Sequence, residues 1–278
     1  MNGRRPFWLF TALAFGYAFL YGPILSLVVY SFNASRLVTV WGGFSTRWYG
    51  ELLANEQILA AAWLSLRIAA LNASVAVVLG TLAGLALSHF GRFRGRTLFS
   101  AMVSAPLVMP DVILGLASLL LFVSMGQLLG WPEGRGVTTI TIAHITFSIA
   151  YVTVIVQSRL SQLDESIEEA ALDLGARPWK VFLVITLPII APALLAGWLL
   201  AFTLSLDDLV IASFVSGPGA TTLPMVVYSS VRLGVSPQIN ALATIIVGLV
   251  TAGIVVAGLV LHRRDRRARS GPPEPVAR

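Results

Sequence analysis

The 278-residue chain has no cysteine. Disulfides, thiolate metal sites and cysteine nucleophiles are therefore excluded. Its three histidines, His89, His144 and His262, are far apart and form no H-E-x-x-H pattern, which argues against a zinc site. Lysine occurs once, at Lys180, and no G-x-x-x-x-G-K-[ST] run is present, so the chain has no P-loop for nucleotide. Charge is also scarce. Only 12% of residues are charged, about half the share of an ordinary soluble domain. The net charge of +6 is gathered in short clusters, unlike the exposed basic face of a nucleic-acid binder.

What fills the chain instead is apolar: 56% of residues are hydrophobic and the mean hydropathy is +0.83. A helix needs about 20 apolar residues to cross the hydrocarbon core. Stretches of that kind lie near 7–31, 60–88, 98–125, 137–158, 183–206 and 238–261, and predict an all-α, six-span integral membrane protein. The first follows Arg4-Arg5 with no charge before Arg36 and no clean A-x-A site. It reads as a retained signal anchor rather than a cleaved signal peptide.

A further charge-free run, 209–231, could be a seventh span, but "SGPGATTLP" interrupts it with Gly217, Pro218, Gly219 and Pro224. The positive-inside rule decides the count. With six spans and both termini cytoplasmic, 14 of the 19 basic residues fall inside. Arg36, Arg47, Arg135 and Arg232 fall outside, and Arg67 lies near the outer end of the second span. Seven spans would export "HRRDRRAR" at 262–269. The expected organisation is a cytoplasmic N-terminus at 1–6, a transmembrane domain at 7–262 and a basic, Pro-containing cytoplasmic tail at 263–278. Residues 207–237 form an outer loop, in part re-entrant, and no soluble domain of 50 residues interrupts the pattern.

The cytoplasmic loop 159–182 reads "RLSQLDESIEEAALDLGARPWKVF". Asp164, Glu165, Glu168 and Glu169 suit a helix N-terminus through the macrodipole. Ala170, Ala171 and Leu172 favour helix, Gly175 suits a left-handed C-terminal cap, and Pro178 stops continuation. A short amphipathic helix over about 165–174 is predicted, with Ile167, Ala171 and Leu174 on one face. Its acidity suits a protein partner better than an anionic lipid surface.

Intramembrane acids are costly and are functional by default. Asp111 follows Pro110 about midway along the third span, and the adjacent Asp207 and Asp208 close the fifth, toward the outer half. All three are candidate substrate-path residues. Structural readings stand beside this one. Asp207 or Asp208 could pair with Arg67 or Arg232 or cap a helix, and Asp111 could cap a helix after Pro110. Pro106 and Pro110 predict irregular backbone, which is tolerated beside protein or a water-filled cavity. His144 reads as an interhelical hydrogen-bond group rather than a proton relay. The Gly80-x-x-x-Gly84 pair reads as close helix packing. Trp41, Trp48 and Tyr49 fit an interfacial aromatic belt or a binding-protein contact.

"EAA" at 169–171, Gly175 and "ITLP" at 185–188 reproduce the spacing E-A-A-x3-G-x9-I-x-L-P. This resembles the signature loop of permease subunits of bacterial ABC importers. The resemblance implies a type I (MetI-like) transmembrane domain whose short helix docks on a separate ATPase subunit. Glu169, Ala170, Ala171 and Gly175 are then the ATPase-coupling residues. "SFNASRLVTVWGGFSTRWYGELL" (31–53), "APLVMPDVILG" (105–115) and the segment from Ala201 to Ile245 are similar to the polyamine importer permeases, those for putrescine above all.

That resemblance implies an inner-membrane subunit with no nucleotide site and no catalysis of its own. Its partners are a homologous second permease, two ATPase subunits that bind ATP and Mg, and a soluble polyamine-binding protein outside. A diamine cargo needs carboxylates to replace its lost water, in keeping with Asp111, Asp207 and Asp208. The competing classes are an ion-coupled secondary transporter of an organic cation, which leaves the EAA loop unexplained, and a non-transporting membrane scaffold or sensor, which predicts that Asp111→Asn and Asp208→Asn leave polyamine uptake intact.

Overall fold

In a computed structural model of the chain, the described residues are 7–37, 40–233 and 236–269. The expected N-terminal segment 1–6 and the Pro-rich end of the tail lie outside them. The fold is all-α, and among the described residues the only β pairing is an isolated bridge between Asn33 and Phe44. In chain order the helices are α1 (Phe7–Tyr30), α2 (Arg47–Leu53), α3 (Glu56–His89), α4 (Arg96–Val108), α5 (Asp111–Leu129) and α6 (Val137–Leu160). There follow α7 (Glu165–Asp173), α8 (Pro178–Val181), a π-helical segment (Phe182–Thr186), α9 (Leu187–Leu206), α10 (Val210–Val215), α11 (Leu223–Leu233) and α12 (Pro237–Arg269).

Five of these stretches are long and apolar enough to cross a membrane: Trp8–Tyr30, α3, α5, α6 and the continuous Pro178–Leu206. The stretch Pro237–Ala252 at the start of α12 is a shorter apolar piece. Helices α10 and α11, with 6 and 11 residues, are too short to cross. The run 209–231 thus folds as two short helices around the Gly-Pro turn and not as a span.

The expected third span, 98–125, is divided into α4 and α5. Met109 is extended, with ψ 134°, and Pro110 follows with φ −59° and ψ 140°. A residue before proline is pushed out of the α region, so α4 ends at Val108 and α5 starts its own ladder from the Pro110 carbonyl, which accepts from Ile113 and Leu114. The irregular backbone expected at this point is a full break. Pro106 is accommodated inside α4.

The described residues form two compact units. One holds the chain up to Glu56 and from Ser229 on; the other is Gln57–Tyr228. In the first unit, the loop after α1 folds around Asn33, which is buried. The Asn33 side-chain oxygen accepts from the amides of Gly42 and Ser35, its nitrogen donates to the Val40 carbonyl, and its own carbonyl accepts from Trp48 Nε1 at 2.6 Å. Trp48 is buried and carries the Arg47 guanidinium 4.0 Å from its ring centroid, while Tyr49 shares a hydrogen bond with Ser31. Trp48 and Tyr49 therefore belong to the loop's own core. Trp41 is exposed and meets Tyr30 edge-on. Gln238, at the start of α12, bonds Asn55 and Glu51 beside α2.

The second unit is built on α3, α6 and α9. Ala73 and Ala76, Val152, Val156 and Leu160, and Ile190 and Ala201 form one buried cluster. Asn72 ties these helices together, donating to Ser148 Oγ at 3.1 Å and to the Ala201 carbonyl at 2.8 Å. The Gly80-x-x-x-Gly84 pair does what its spacing predicts. A Cβ on Gly80 would lie 2.7 Å from Val152 Cγ1 and 3.2 Å from the Thr153 amide, and one on Gly84 would lie 3.1 Å from Val156 Cγ1. Valine in a helix has little rotamer freedom with which to yield. Gly80→Ala is therefore expected to destabilise the protein by about 1–3 kcal/mol, seen as a lower thermal midpoint. Gly16→Ala in α1, where nothing lies within 4 Å, is the control and should leave the midpoint unchanged or raise it slightly.

Candidate substrate path and coupling helix

The predicted site residues fall into two groups within the second unit. The first gathers around the junction of α9, α10 and α5. Asp207 is the C-terminal cap of α9 and is exposed. Asp208 follows, with only 8% of its side chain exposed. Its Oδ1 accepts from the Ile211 amide at 3.2 Å, and its Oδ2 accepts from the Ala212 amide at 2.7 Å. It thereby satisfies donors that the start of α10 would otherwise leave orphaned. Oδ2 also lies 3.1 Å from His144 Nε2, and His144 Nδ1 lies 2.7 Å from Ser205 Oγ. His144 is buried in α6, so one imidazole joins α6 to both the end of α9 and the start of α10. This is the interhelical role expected of it. Asp208 is occupied by His144 and two amides and makes no ion pair with Arg67.

Asp111 is the first residue of α5, is exposed, and makes no side-chain hydrogen bond or ion pair among the described residues. Its charge suits the first turn of a helix. One turn further, Gly115 is where α5 and α10 meet closely: a Cβ there would lie 2.6 Å from Phe214 Cδ2 and 3.3 Å from Ile211 Cα. The close packing made possible by glycine thus brings the beginning of α5 to the short helix that follows Asp207 and Asp208. The three aspartates share one region of the unit. Two are exposed, and the third is fixed.

The second group is α7. Asp164 caps its N-terminus, its carboxylate accepting from the Ser166 amide at 3.0 Å. The Ser166 hydroxyl and amide hold the Asp164 carboxyl below the usual carboxylate range. At the other end Gly175 has φ 84°. The Gly175 amide bonds the Leu172 carbonyl and the Ala176 amide bonds that of Ala171, which closes the helix as its sequence predicts. Pro178 then opens α8 at its first position, where a missing amide hydrogen costs nothing. Glu169, Ala170, Leu174 and Gly175 are exposed and Ala171 is half-buried. The outer surface of α7 also carries Ile167 at 46% and Leu174 at 90% exposure.

A capped nine-residue helix showing apolar side chains to the outside suits a protein partner. Residues 76–270 match the model of the binding-protein-dependent transport system inner membrane component. The chain belongs to this family. It is a multi-pass inner-membrane permease subunit. It is 61% identical over 264 residues to the putrescine transport system permease protein PotI of Escherichia coli K12, covering 95% of this chain and 94% of that one. It is 42% identical over 255 residues to the spermidine/putrescine transport system permease protein PotC of the same strain, covering 92% and 94%. In fold it is similar to a chain of a bacterial ABC transporter involved in the import of the acidic polysaccharide alginate, with a TM-score of 0.71 at 19% identity over 94% of this chain and 98% of that one.

Some residues of this permease that hold its functional regions together escaped the sequence reading. Ser205 and Asn72 carried a signal, as lone polar residues inside apolar runs, yet nothing local named their partners. In the sequence, Glu168 is marked only as an acid that favours a helix start. Its carboxylate instead reaches His89 at the end of α3 and Thr186 at the end of the π segment.

Proposed function

We propose that this chain is a transmembrane permease subunit of an ATP-driven polyamine importer, with putrescine as cargo. The observation that carries the reading is α7: the E-A-A-x3-G run folds as a capped, outward-facing helix in the loop between two spans. The names of its relatives supply the cargo class, and the exposed Asp111 and Asp207 supply its chemistry. A cation leaving water needs counter-charge, and these two carboxylates offer it without first breaking an ion pair. Asp208 joins them in the path by holding the start of α10 and His144 in place.

In this reading the chain pairs with a homologous second permease, and both termini face the cytoplasm. Two ATPase subunits dock on the coupling residues Glu169, Ala170, Ala171 and Gly175 and bind ATP and Mg themselves. A polyamine-binding protein delivers cargo from outside. ATP binding in the partners moves α7, the spans open outward, and hydrolysis resets the inward state.

The test is co-purification followed by reconstitution. The tagged chain should bring down a P-loop ATPase, and putrescine uptake into proteoliposomes should require that ATPase, ATP and the binding protein. Uptake by the chain alone, driven by an ion gradient, would favour a secondary transporter and overturn the proposal.

A further inference from the structure

The carboxylate of Glu168 is divided between two helices. Its Oε2 lies 3.1 Å from His89 Nε2 at the C-terminal end of α3, and its Oε1 accepts from the Thr186 hydroxyl. Glu168 has only 15% of its side chain exposed and His89 29%, and Thr186 is buried. The neighbouring Glu169 is exposed and has no such contact among the described residues. The two adjacent glutamates of this helix therefore face different ways, one outward and one into the chain.

The behaviour of Thr186 marks the contact as particular. A threonine inside an apolar helix ordinarily turns its hydroxyl back onto the carbonyl four residues earlier. Thr81, Thr141, Thr146, Thr153 and Thr203 all do so, at 2.6–2.8 Å. Thr186 gives its hydroxyl to a carboxylate on another helix. It is also the last residue of the π segment Phe182–Thr186, the one wide turn in the otherwise α-helical stretch Pro178–Leu206. Single π turns are uncommon and recur at functional sites.

We infer that Glu168 is a positioning residue that passes movement of the coupling helix α7 to two spans at once, to α3 through His89 and to the α8–α9 span through Thr186 at its π turn. The inference rests on the reading of α7 as the ATPase-docking helix. Charge-assisted hydrogen bonds are short and directional, and a carboxylate held by both oxygens has little freedom to rotate away from either partner. A displacement of α7 is therefore carried into both helices. Besides this clamp, α7 is joined to the α8–α9 span through the Gly175 turn and contacts with α8.

The experiment uses the assembled complex in detergent. Amide hydrogen exchange is followed over 165–175 and 182–190, with and without Mg and a slowly hydrolysed ATP analogue. In the wild type, nucleotide changes exchange in both segments. In Thr186→Val, which removes one hydroxyl, and Glu168→Met, which keeps length but removes both contacts, the response persists in 165–175. In 182–190 it falls by about fivefold or more, the lower range of a typical coupling factor. Glu168→Gln can still accept from Thr186 and should keep most of the response.

An undiminished response in 182–190 in both severing variants would overturn the inference. So would a wild-type response confined to 165–175, or loss of assembly in Thr186→Val as well as in Glu168→Met, which would make the contact a folding element. Because exchange is read without cargo, failure of the wild-type complex to transport putrescine would count against the polyamine reading alone.

Discussion

Exchange of Glu169 for lysine is expected to leave the chain folded and to cut its transport at least about tenfold. Glu169 is exposed on α7 and makes no side-chain hydrogen bond or ion pair among the described residues. Surface substitutions of this kind shift stability by only about 0.5 kcal/mol in either direction. In the proposed docking role the cost falls on the partner interface: a carboxylate there becomes an ammonium of opposite sign, and losing one partner of a buried interfacial charge pair costs about 2–5 kcal/mol, or roughly 30-fold to several thousand-fold in affinity. The expected result is an unchanged unfolding midpoint for the chain, loss of the co-purified ATPase or of its cargo-stimulated activity, and uptake reduced at least about tenfold. Normal uptake per ATP in Glu169→Lys would remove the docking role from this residue.

Asp208→Ala has the opposite signature and an equally large effect. The substitution strips two amides at the start of α10 of their acceptor and leaves His144, itself buried, without its Nε2 partner. Leaving a buried donor or acceptor unsatisfied costs about 1–3 kcal/mol per group, so the protein loses thermal stability before any question of cargo arises. Asp208→Asn keeps an acceptor for α10 and should recover most of that loss. Asp111→Asn and Asp207→Asn, at exposed carboxylates, should leave the midpoint unchanged. Each should cut putrescine uptake at low substrate by about tenfold, the equivalent of about 1.4 kcal/mol. If both neutral variants take up putrescine normally, these carboxylates do not lie on the path. If Asp208→Asn is stable yet inactive, the third charge also meets the cargo.

The parts of this protein that could be read from its sequence are those written in local pattern. Spans announce themselves as runs of apolar residues, and α7 by its acids, its alanines and Gly175, all within one short segment. The break between α4 and α5 had a local sign in Pro110, though not enough to show that one span would become two helices. What stayed hidden was pairing over distance. Asp208 and His144 are 64 positions apart, and Glu168 and His89 are 79 apart. Nothing in the neighbourhood of either aspartate distinguishes the one that holds a helix from the one that faces out. Trp48 likewise looked like an interfacial aromatic, because its reason for burial, the Asn33 carbonyl, lies 15 residues away.

The interruption at Met109–Pro110 also bears on how the bundle can deform. A continuous helix resists bending because its peptide ladder must open. Here the proline brings no amide hydrogen, and the α5 ladder begins afresh at its carbonyl. The angle between α4 and α5 is therefore set by neighbours and not by peptide bonding: α4 lies on α6, and α5 on α10 and α6. Asp111 sits on the far side of this articulation. A change in packing at α10 therefore needs no turn of helix to melt in order to shift the Asp111 carboxylate.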